Sequence, residues 1–279
     1  GLTKVDEKTV NTFLAAHPEH ADEKTIKWSS SLKSRAARGE RAQFNHDRIV
    51  EAVYRPFSRQ HAYFDAMFNH RRGELASMFP TPHHNNMGFY VVGAGSDKPF
   101  SLLKSDRIVD LALGGSSSGQ FFPRWTYVPA GSSDGGFDLG EQGSVDEFGY
   151  RRVDNITDDI AAVYSEALDG PVDKDDIFYS VYAQLHDPGY RTHYAADLKK
   201  MLPHLPPPSS RERFNQLANR GRQLANLHAG YENVEPWPLD VTVKPGVDDC
   251  DRTTWRVEKL KFKSKTDHTT IIYNRHITI

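Results

Sequence analysis

Apolar residues recur every three to four positions in six parts of the chain, a spacing that predicts amphipathic helices. Pro18 and Gly39 end the first two of these helices, and the prolines between residues 203 and 208 separate the last two. The predicted helices cover residues 5–14, 25–38, 44–52, 173–185, 190–202 and 210–228.

Short runs of β-branched and aromatic residues, bounded by glycine or proline, predict strands between and after these helices. Pro123 cannot donate a ladder hydrogen bond, so its strand is expected at a sheet edge or a bulge. The predicted strands are Val53–Phe57, Ala62–Phe64, Phe89–Val92, Ile108–Leu111, Phe121–Val128, Trp255–Val257, Leu260–Phe262 and Thr270–Tyr273.

This order of elements predicts an α+β fold. It starts with N-terminal helices and continues with a mixed, mostly antiparallel sheet region over about 53–130. A helical subdomain over about 158–230 and a C-terminal β region follow. We divide the chain into residues 1–129, a flexible acidic linker rich in glycine and serine over 130–157, and residues 158–279.

The charge distribution adds a pattern that the net charge of -2 conceals. Residues 1–80 carry a net charge of +3, residues 130–180 carry -10, and residues 190–265 carry +5. Two mildly basic flanks therefore surround an acidic middle, although the overall charge argues against an evident nucleic-acid binder. The chain has one cysteine and no apolar run of about 18 residues, so we expect a cytoplasmic protein without a membrane partner.

Common catalytic motifs are absent from the sequence. It contains no phosphate-binding P-loop, no G-x-S-x-G elbow and no H-E-x-x-H zinc motif. Four charged residues near the C-terminus offer an enzymatic alternative, because acids that hold Mg²⁺ beside a lysine are typical of nucleases. They are Asp248, Asp249, Glu258 and Lys261. A solvent-facing hairpin explains the same residues.

Three segments resemble blocks of one family of large restriction–modification polypeptides. Tyr54–Phe64 is similar to its "Y-R-P-F-D" block, with Ser58 at the aspartate, and Gln120–Trp125 is similar to its "Q-C-F-P" block, with Phe121 at the cysteine. Asp176–Arg191 resembles its helical "D-I-F-Y-x-x-Y-x-x-L-H" block, and Leu224–Glu232 fits as well. The family is the single-chain type I, or type ISP, enzymes, and the matching part is their C-terminal target-recognition domain.

The resemblance implies sequence-specific recognition of double-stranded DNA without catalysis by this piece. In such enzymes a nuclease, a helicase motor and an adenine methyltransferase precede this part. We therefore expect this chain to be a fragment that needs no cofactor, whereas S-adenosylmethionine, ATP and Mg²⁺ bind the other modules. Its expected partners are DNA and the methyltransferase and helicase modules. A domain that only couples motor to methyltransferase is a further alternative.

Nine polar residues around the predicted loops of residues 55–130 are candidate DNA contacts. Guanidinium groups meet phosphate oxygens bidentately, and asparagine can pair with adenine. The candidates are Arg55, Arg59, Arg71, Arg72, Asn85, Asn86, Lys98, Ser101 and Arg124. Each also admits a structural role in a turn, a strand edge or a solvated loop. The same two alternatives hold for Arg211, Arg213, Arg220 and Arg222 of the predicted helix over 210–228.

Overall fold

The computed structural model describes residues 7–22, 26–69, 72–115, 119–131 and 144–279. The chain divides into two compact units, Gly1–Tyr231 and Glu232–Ile279. The first unit contains both helices and strands, and the second contains short strands, so the predicted α+β class is confirmed.

The first N-terminal helix has the predicted length, whereas the second is shorter than the sequence pattern predicts. Helix α1 spans Glu7–Ala16 and helix α2 spans Ser30–Ala37. Helix α2 begins late because the Ser29 hydroxyl accepts a hydrogen bond from the Leu32 amide and thereby caps it. The predicted helix over 44–52 is wrong: a single 3₁₀ turn at His46–Arg48 leads directly into a strand, where the β-branched residues pair across a hairpin.

A short helix and eight strands follow. Helix α3 spans Leu75–Met78. The strands are β1 (Ile49–Arg55), β2 (Ser58–Tyr63), β3 (Gly88–Val92), β4 (Ser101–Ser105), β5 (Ile108–Val109), β6 (Gln120–Pro123), β7 (Trp125–Pro129) and β8 (Tyr150–Asp154). The run predicted as one strand over 121–128 is broken at Arg124 into β6 and β7. Residues 150–154, which the sequence analysis placed in a linker, form β8, and residues 132–143 lie outside the described residues.

These strands form three small sheets. In the first, β1 pairs antiparallel with β2 and parallel with β5. In the second, β3 lies between β4 and β6, both antiparallel to it, and every residue of β3 is buried. Strand β6 is an edge of that sheet, as the proline at position 123 predicts. The third sheet pairs β7 with β8.

Four helices complete the first unit: α4 (Asp158–Ala167), α5 (Lys174–His186), α6 (Pro188–His193) and α7 (Arg211–Ala229). Side chains of Thr157, Asp173, Asp187 and Ser210 accept amide hydrogen bonds at their N-termini. The sequence located α5 and α7 well. The helix predicted over 190–202 is corrected to α6, which ends at His193 and is followed by turns.

The main core lies between the β3 sheet and helix α5. The Phe89 ring stacks on Phe178 with ring centroids 4.0 Å apart and on Tyr182 at 4.9 Å. Tyr182 is completely buried. Its hydroxyl accepts a hydrogen bond from the Lys104 amide of β4 at 3.0 Å and lies 2.6 Å from Nδ1 of His228 in α7. One side chain thus joins the sheet to both long helices.

Helices α5 and α7 approach each other closely at Gly221. A Cβ atom at this position would lie 1.9 Å from the Tyr179 carbonyl oxygen, well inside van der Waals contact. Only glycine therefore allows this crossing, and the buried face of α7 on either side of it consists of Phe214, Leu217, Ala218 and Ala225.

The second unit is one small antiparallel sheet. Its strands are β9 (Thr242–Val243), β10 (Lys261–Phe262), β11 (Ile271–Ile272) and β12 (Ile277–Thr278), in the order β10-β11-β12-β9. The strand predicted over 255–257 is wrong. The backbone there turns instead, and the buried Asn274 amide donates to the carbonyls of Thr254 and Arg256.

Among the described residues, none of the helices has the length and apolar character needed to cross a bilayer.

Replacing Gly221 by alanine tests the helix crossing. We expect Gly221→Ala to lower the free energy of unfolding by about 1–3 kcal/mol, because the added methyl forces the two backbones apart. Urea denaturation measures the loss. Asn215→Ala, at an exposed position of the same helix, serves as the control and should be neutral or slightly stabilising. Equal stability of the two variants would contradict the close approach.

Burial of His186 predicts an acid-sensitive core. Burial lowers the pKa of its imidazole to about 4, despite a hydrogen bond to the Tyr182 carbonyl that opposes the shift. The unfolded chain, whose histidine pKa is about 6.5, therefore binds more protons between pH 6.5 and pH 4, and stability falls as the pH falls through that range. Replacing His186 with phenylalanine should flatten this dependence, as measured by urea midpoints at pH 7 and pH 5. His193→Phe, at an exposed position, should leave it unchanged. An unflattened profile for His186→Phe would refute this role.

Candidate nucleic-acid interface

An open groove of about 570 Å³ lies at one end of the first two sheets. The register pairs Gly88 of β3 with Ser105 of β4, so the start of β3 and the end of β4 meet at this end. The groove is lined by residues of three segments: Arg48–Glu51 with Phe64, Phe79–Pro82 with His84–Asn86, and Asp106–Ile108.

Three of the charged side chains that line this groove interact with one another. The Arg107 guanidinium donates to the carboxylates of Glu51 and Asp106. Burial lowers the pKa of Arg107, but the bonds to the two carboxylates outweigh it and raise the pKa overall. The bond from Arg107 in turn lowers the pKa of Glu51. Glu51 is therefore held ionised beside a fixed guanidinium. The groove is lined by two arginines, Arg48 and Arg107, and two acids, Glu51 and Asp106, so its net charge is small.

Asn85 and Asn86 are adjacent in the sequence, but one side chain is exposed and the other is buried. Asn85 is exposed at the groove, and within the described residues its side-chain amide has no hydrogen bond. Asn86 is buried: its amide donates to the carbonyls of Met78 and Trp125, and its oxygen accepts from the amides of Met87 and Trp125. All its polar atoms are used, so the expected base contact by Asn86 is corrected to a structural role, whereas Asn85 is available.

Arg124 is also inside the protein. Its side chain is 5% exposed, Nε donates to Asp175 at 2.7 Å, and Nη1 donates to Asp154. The guanidinium therefore connects the break between β6 and β7 to the end of β8 and the start of α5. A DNA contact by Arg124 is corrected to this internal bridge, because the two carboxylates occupy the donors that would face a phosphate.

The hairpin between β1 and β2 directs two predicted arginines towards the protein. Arg55 donates to the Tyr54 carbonyl at 2.7 Å and to Asp110 at 3.0 Å, with 40% of its side chain exposed. Arg59 donates to the Ala229 carbonyl at the end of α7 and lies over the Tyr231 ring at 5.1 Å. Between them Phe57 has a φ of 56°, an unusual backbone for a bulky residue, and its ring meets His228 at 5.9 Å.

Lys98 and Ser101 lie at the opposite end of the β3 sheet, since Val92 pairs with Ser101. Both are exposed, and the Lys98 ammonium is 3.8 Å from Asp97. Five residues of β3 separate them from the groove, which is roughly 14 Å along a strand. The structure therefore does not bring Lys98 and Ser101 together with Asn85.

The two remaining predicted contacts, Arg72 and Arg71, lie outside the main groove or outside the described residues. Arg72 lies over the Phe64 ring at 5.4 Å and lines a small cleft with Arg35 and Asn69. Arg71 lies outside the described residues. Arg48 and Arg107, which the sequence reasoning missed, line the main groove. Neither stands in a motif, so only the pairing of β1 with β5 identifies them.

The acids of the nuclease alternative do not form one cluster with Glu258. Asp248, Asp249 and Cys250 are exposed and place one possible ligand atom each within 4.8 Å of one another. Glu258 instead pairs with Arg275 at 3.4 Å. No other group of metal-ligand type is found among the described residues.

Comparison with known proteins identifies the family. The family model described as "Type ISP C-terminal specificity domain" matches residues 3–279. The chain belongs to this family. The specificity domain also resembles the solved structure of a nuclease-deletion mutant of the Type ISP restriction–modification enzyme LlaGI in complex with a DNA substrate mimic. The two are 32% identical with a TM-score of 0.63, and the match covers 90% of this chain and 20% of that chain.

Two further solved structures are similar over nearly the whole domain. The ATP-dependent Type ISP enzyme LlaBIII bound to DNA is 25% identical with a TM-score of 0.70, covering 99% of this chain and 16% of that chain. The DrdV–DNA complex is 25% identical with a TM-score of 0.68, covering 98% and 26%. The specificity domain thus spans about a fifth of the length of these enzymes. A search of curated proteins found no match.

The internal bridge of Arg124 can be tested by stability. Arg124→Ala should lower the free energy of unfolding by about 2–4 kcal/mol, because two carboxylates lose their shared partner. The loss stays moderate since Asp175 is 41% exposed. Thermal or urea denaturation measures it. Arg152→Ala is the control, because this exposed side chain lies over the Trp125 ring at 4.7 Å and interacts with the Tyr127 hydroxyl but bridges no pair of carboxylates, so about 1 kcal/mol or less is expected. A small loss in both variants would argue against the bridge.

Proposed function

We propose that this domain reads the DNA target sequence of a type ISP restriction–modification enzyme. The family match over residues 3–279 carries the proposal. Its similarity to three structures determined as DNA complexes supports it, and so does an open groove with the exposed amide of Asn85 at its edge. The role is recognition rather than catalysis of a reaction.

Recognition in this groove depends on hydrogen bonding more than on net charge. Base-edge contacts specify sequence, whereas phosphate contacts position the protein. Asn85 supplies an amide that can pair bidentately with adenine, and Arg72, Lys98 and Ser101 are the exposed or half-buried candidates for phosphate contacts. Arg107 pairs with both Glu51 and Asp106, and Arg48 lines the same groove, so the charges of these four side chains sum to zero and the groove does not repel DNA strongly.

The partners and cofactors of the whole enzyme follow from the same proposal. The methyltransferase and helicase modules of the parent chain would flank this domain and bind S-adenosylmethionine, ATP and Mg²⁺. Recognition of the site would hold a target adenine where the methyltransferase can flip it out of the stack. The domain itself would need no cofactor.

Binding to a randomised duplex pool tests the proposal. Retention is measured at salt on the order of 100 mM, where non-specific binding is already weakened, and the retained duplexes are sequenced. Enrichment of one short site containing an adenine is the expected result. Uniform, salt-sensitive retention would leave a backbone clamp without reading, and no retention would favour a coupling role.

Asn85 and Arg72 should affect binding in different ways. Asn85→Ala should cost about 1–3 kcal/mol on the selected site and leave random duplexes unchanged, because it removes a base contact. Arg72→Ala should weaken both duplexes alike and flatten the salt slope by about 0.9, because it removes one phosphate contact. Fluorescence anisotropy titrations at several salt concentrations measure both quantities. Equal losses on both duplexes for Asn85→Ala would exclude it as a base reader.

A further inference from the structure

The exposed face of helix α7 has an unusual composition. The helix has 19 residues and is therefore about 28 Å long. At about 100° per residue, six exposed polar side chains share a face roughly 140° wide. They are Asn215, Gln216, Asn219, Arg220, Gln223 and Asn226. The one acid of the helix, Glu212, accepts a hydrogen bond from Gln216 at 3.1 Å.

Helix stability does not explain these side chains. The opposite face buries Phe214, Leu217 and Ala225, and that burial accounts for the helix. Asparagine is a poor helix former, because its side chain competes for backbone hydrogen bonds. A face that only met water would be better served by alanine, glutamate or lysine. Across the part of the chain that the structure describes, the amides of Asn219 and Gln223 have no hydrogen-bond partner.

The side-chain chemistry matches the edges of bases. Asparagine and glutamine pair bidentately with adenine N6 and N7, and arginine pairs with guanine O6 and N7. The major groove, about 12 Å wide, admits an α-helix. A surface that binds a protein partner is typically built from several apolar side chains or from charges opposite to those of the partner. This face exposes one large apolar side chain, Leu227, and the helix carries one acid, Glu212.

The C-terminal end of α7 is held by the hairpin between β1 and β2. At the C-terminal end of α7 the Ala229 carbonyl accepts a hydrogen bond from Arg59 of β2. The Phe57 ring of the same hairpin meets His228 edge-on at 5.9 Å. The hairpin tip therefore fixes this end of the helix against the β-rich part of the first unit.

We propose that the exposed face of α7 enters the major groove and reads bases, with Asn219 and Gln223 at its centre and Arg220 beside them. This inference rests on the proposed function, because it names the element that distinguishes one DNA sequence from another. It adds a specificity-determining surface that is separate from the groove at Asn85.

Selection from the randomised pool by the double variant Asn219→Ala/Gln223→Ala tests the proposal. The whole chain is used, and the preferred site is compared with that of the wild type. We expect the preference at one or two base positions to fall by at least about fivefold, while affinity for random duplex stays within about twofold. The melting temperature should not fall, because alanine is the better helix former.

The matched control is Gln43→Ala/Asn233→Ala, which also removes one glutamine and one asparagine side chain, but from exposed positions outside α7. It should select the wild-type site. An unchanged base preference in the α7 variant, or equal weakening on every duplex, would overturn this inference alone. A wild-type domain that retains all duplexes alike would overturn the proposed function and this inference with it.

Discussion

The hydroxyl of Tyr182 holds the first unit together. Tyr182 belongs to α5, and its hydroxyl accepts a hydrogen bond from the Lys104 backbone amide of β4 and lies beside the His228 ring of α7. Three elements from distant parts of the sequence therefore meet at one oxygen. Burial raises the pKa of this phenol well above its usual value, which keeps the hydroxyl neutral. It also lowers the pKa of Lys104. A buried polar group that loses its hydrogen bond destabilises the fold. Small shifts of α5, α7 or β4 are therefore poorly tolerated.

The sequence blocks that reveal the family mostly build this scaffold. The "Y-R-P-F" hairpin tip rests on the end of α7 through Phe57 and Arg59, and the long helical block supplies Phe178 and Tyr182 to the core. Asn85, Asn219 and Gln223, by contrast, lie outside the resembling blocks. A rigid scaffold with unpaired amides on its surface is the arrangement that reading of bases requires, because reader side chains must be held in place before DNA arrives.

The slightly negative net charge of the chain is consistent with reading by exposed amides rather than by unpaired arginines. The groove arginine Arg107 is neutralised by Glu51 and Asp106, and Arg124 by Asp154 and Asp175. Arginines that are paired with acids contribute little to the long-range attraction of DNA. Under the proposed function, hydrogen bonds from exposed amides such as Asn85 would then supply the discrimination between sequences.

The sequence by itself determined the α+β class, the positions of α5, α7 and β3, and the family, because periodicity, capping residues and contiguous motifs are local properties. It did not determine which polar residues are available. Asn85 and Asn86 are adjacent and chemically identical, yet one is exposed and the other is enclosed by carbonyls from Met78 and Trp125. Likewise β8 and the carboxylates around Arg124 come from segments far along the chain. Burial of a polar side chain depends on partners that only tertiary packing brings to it.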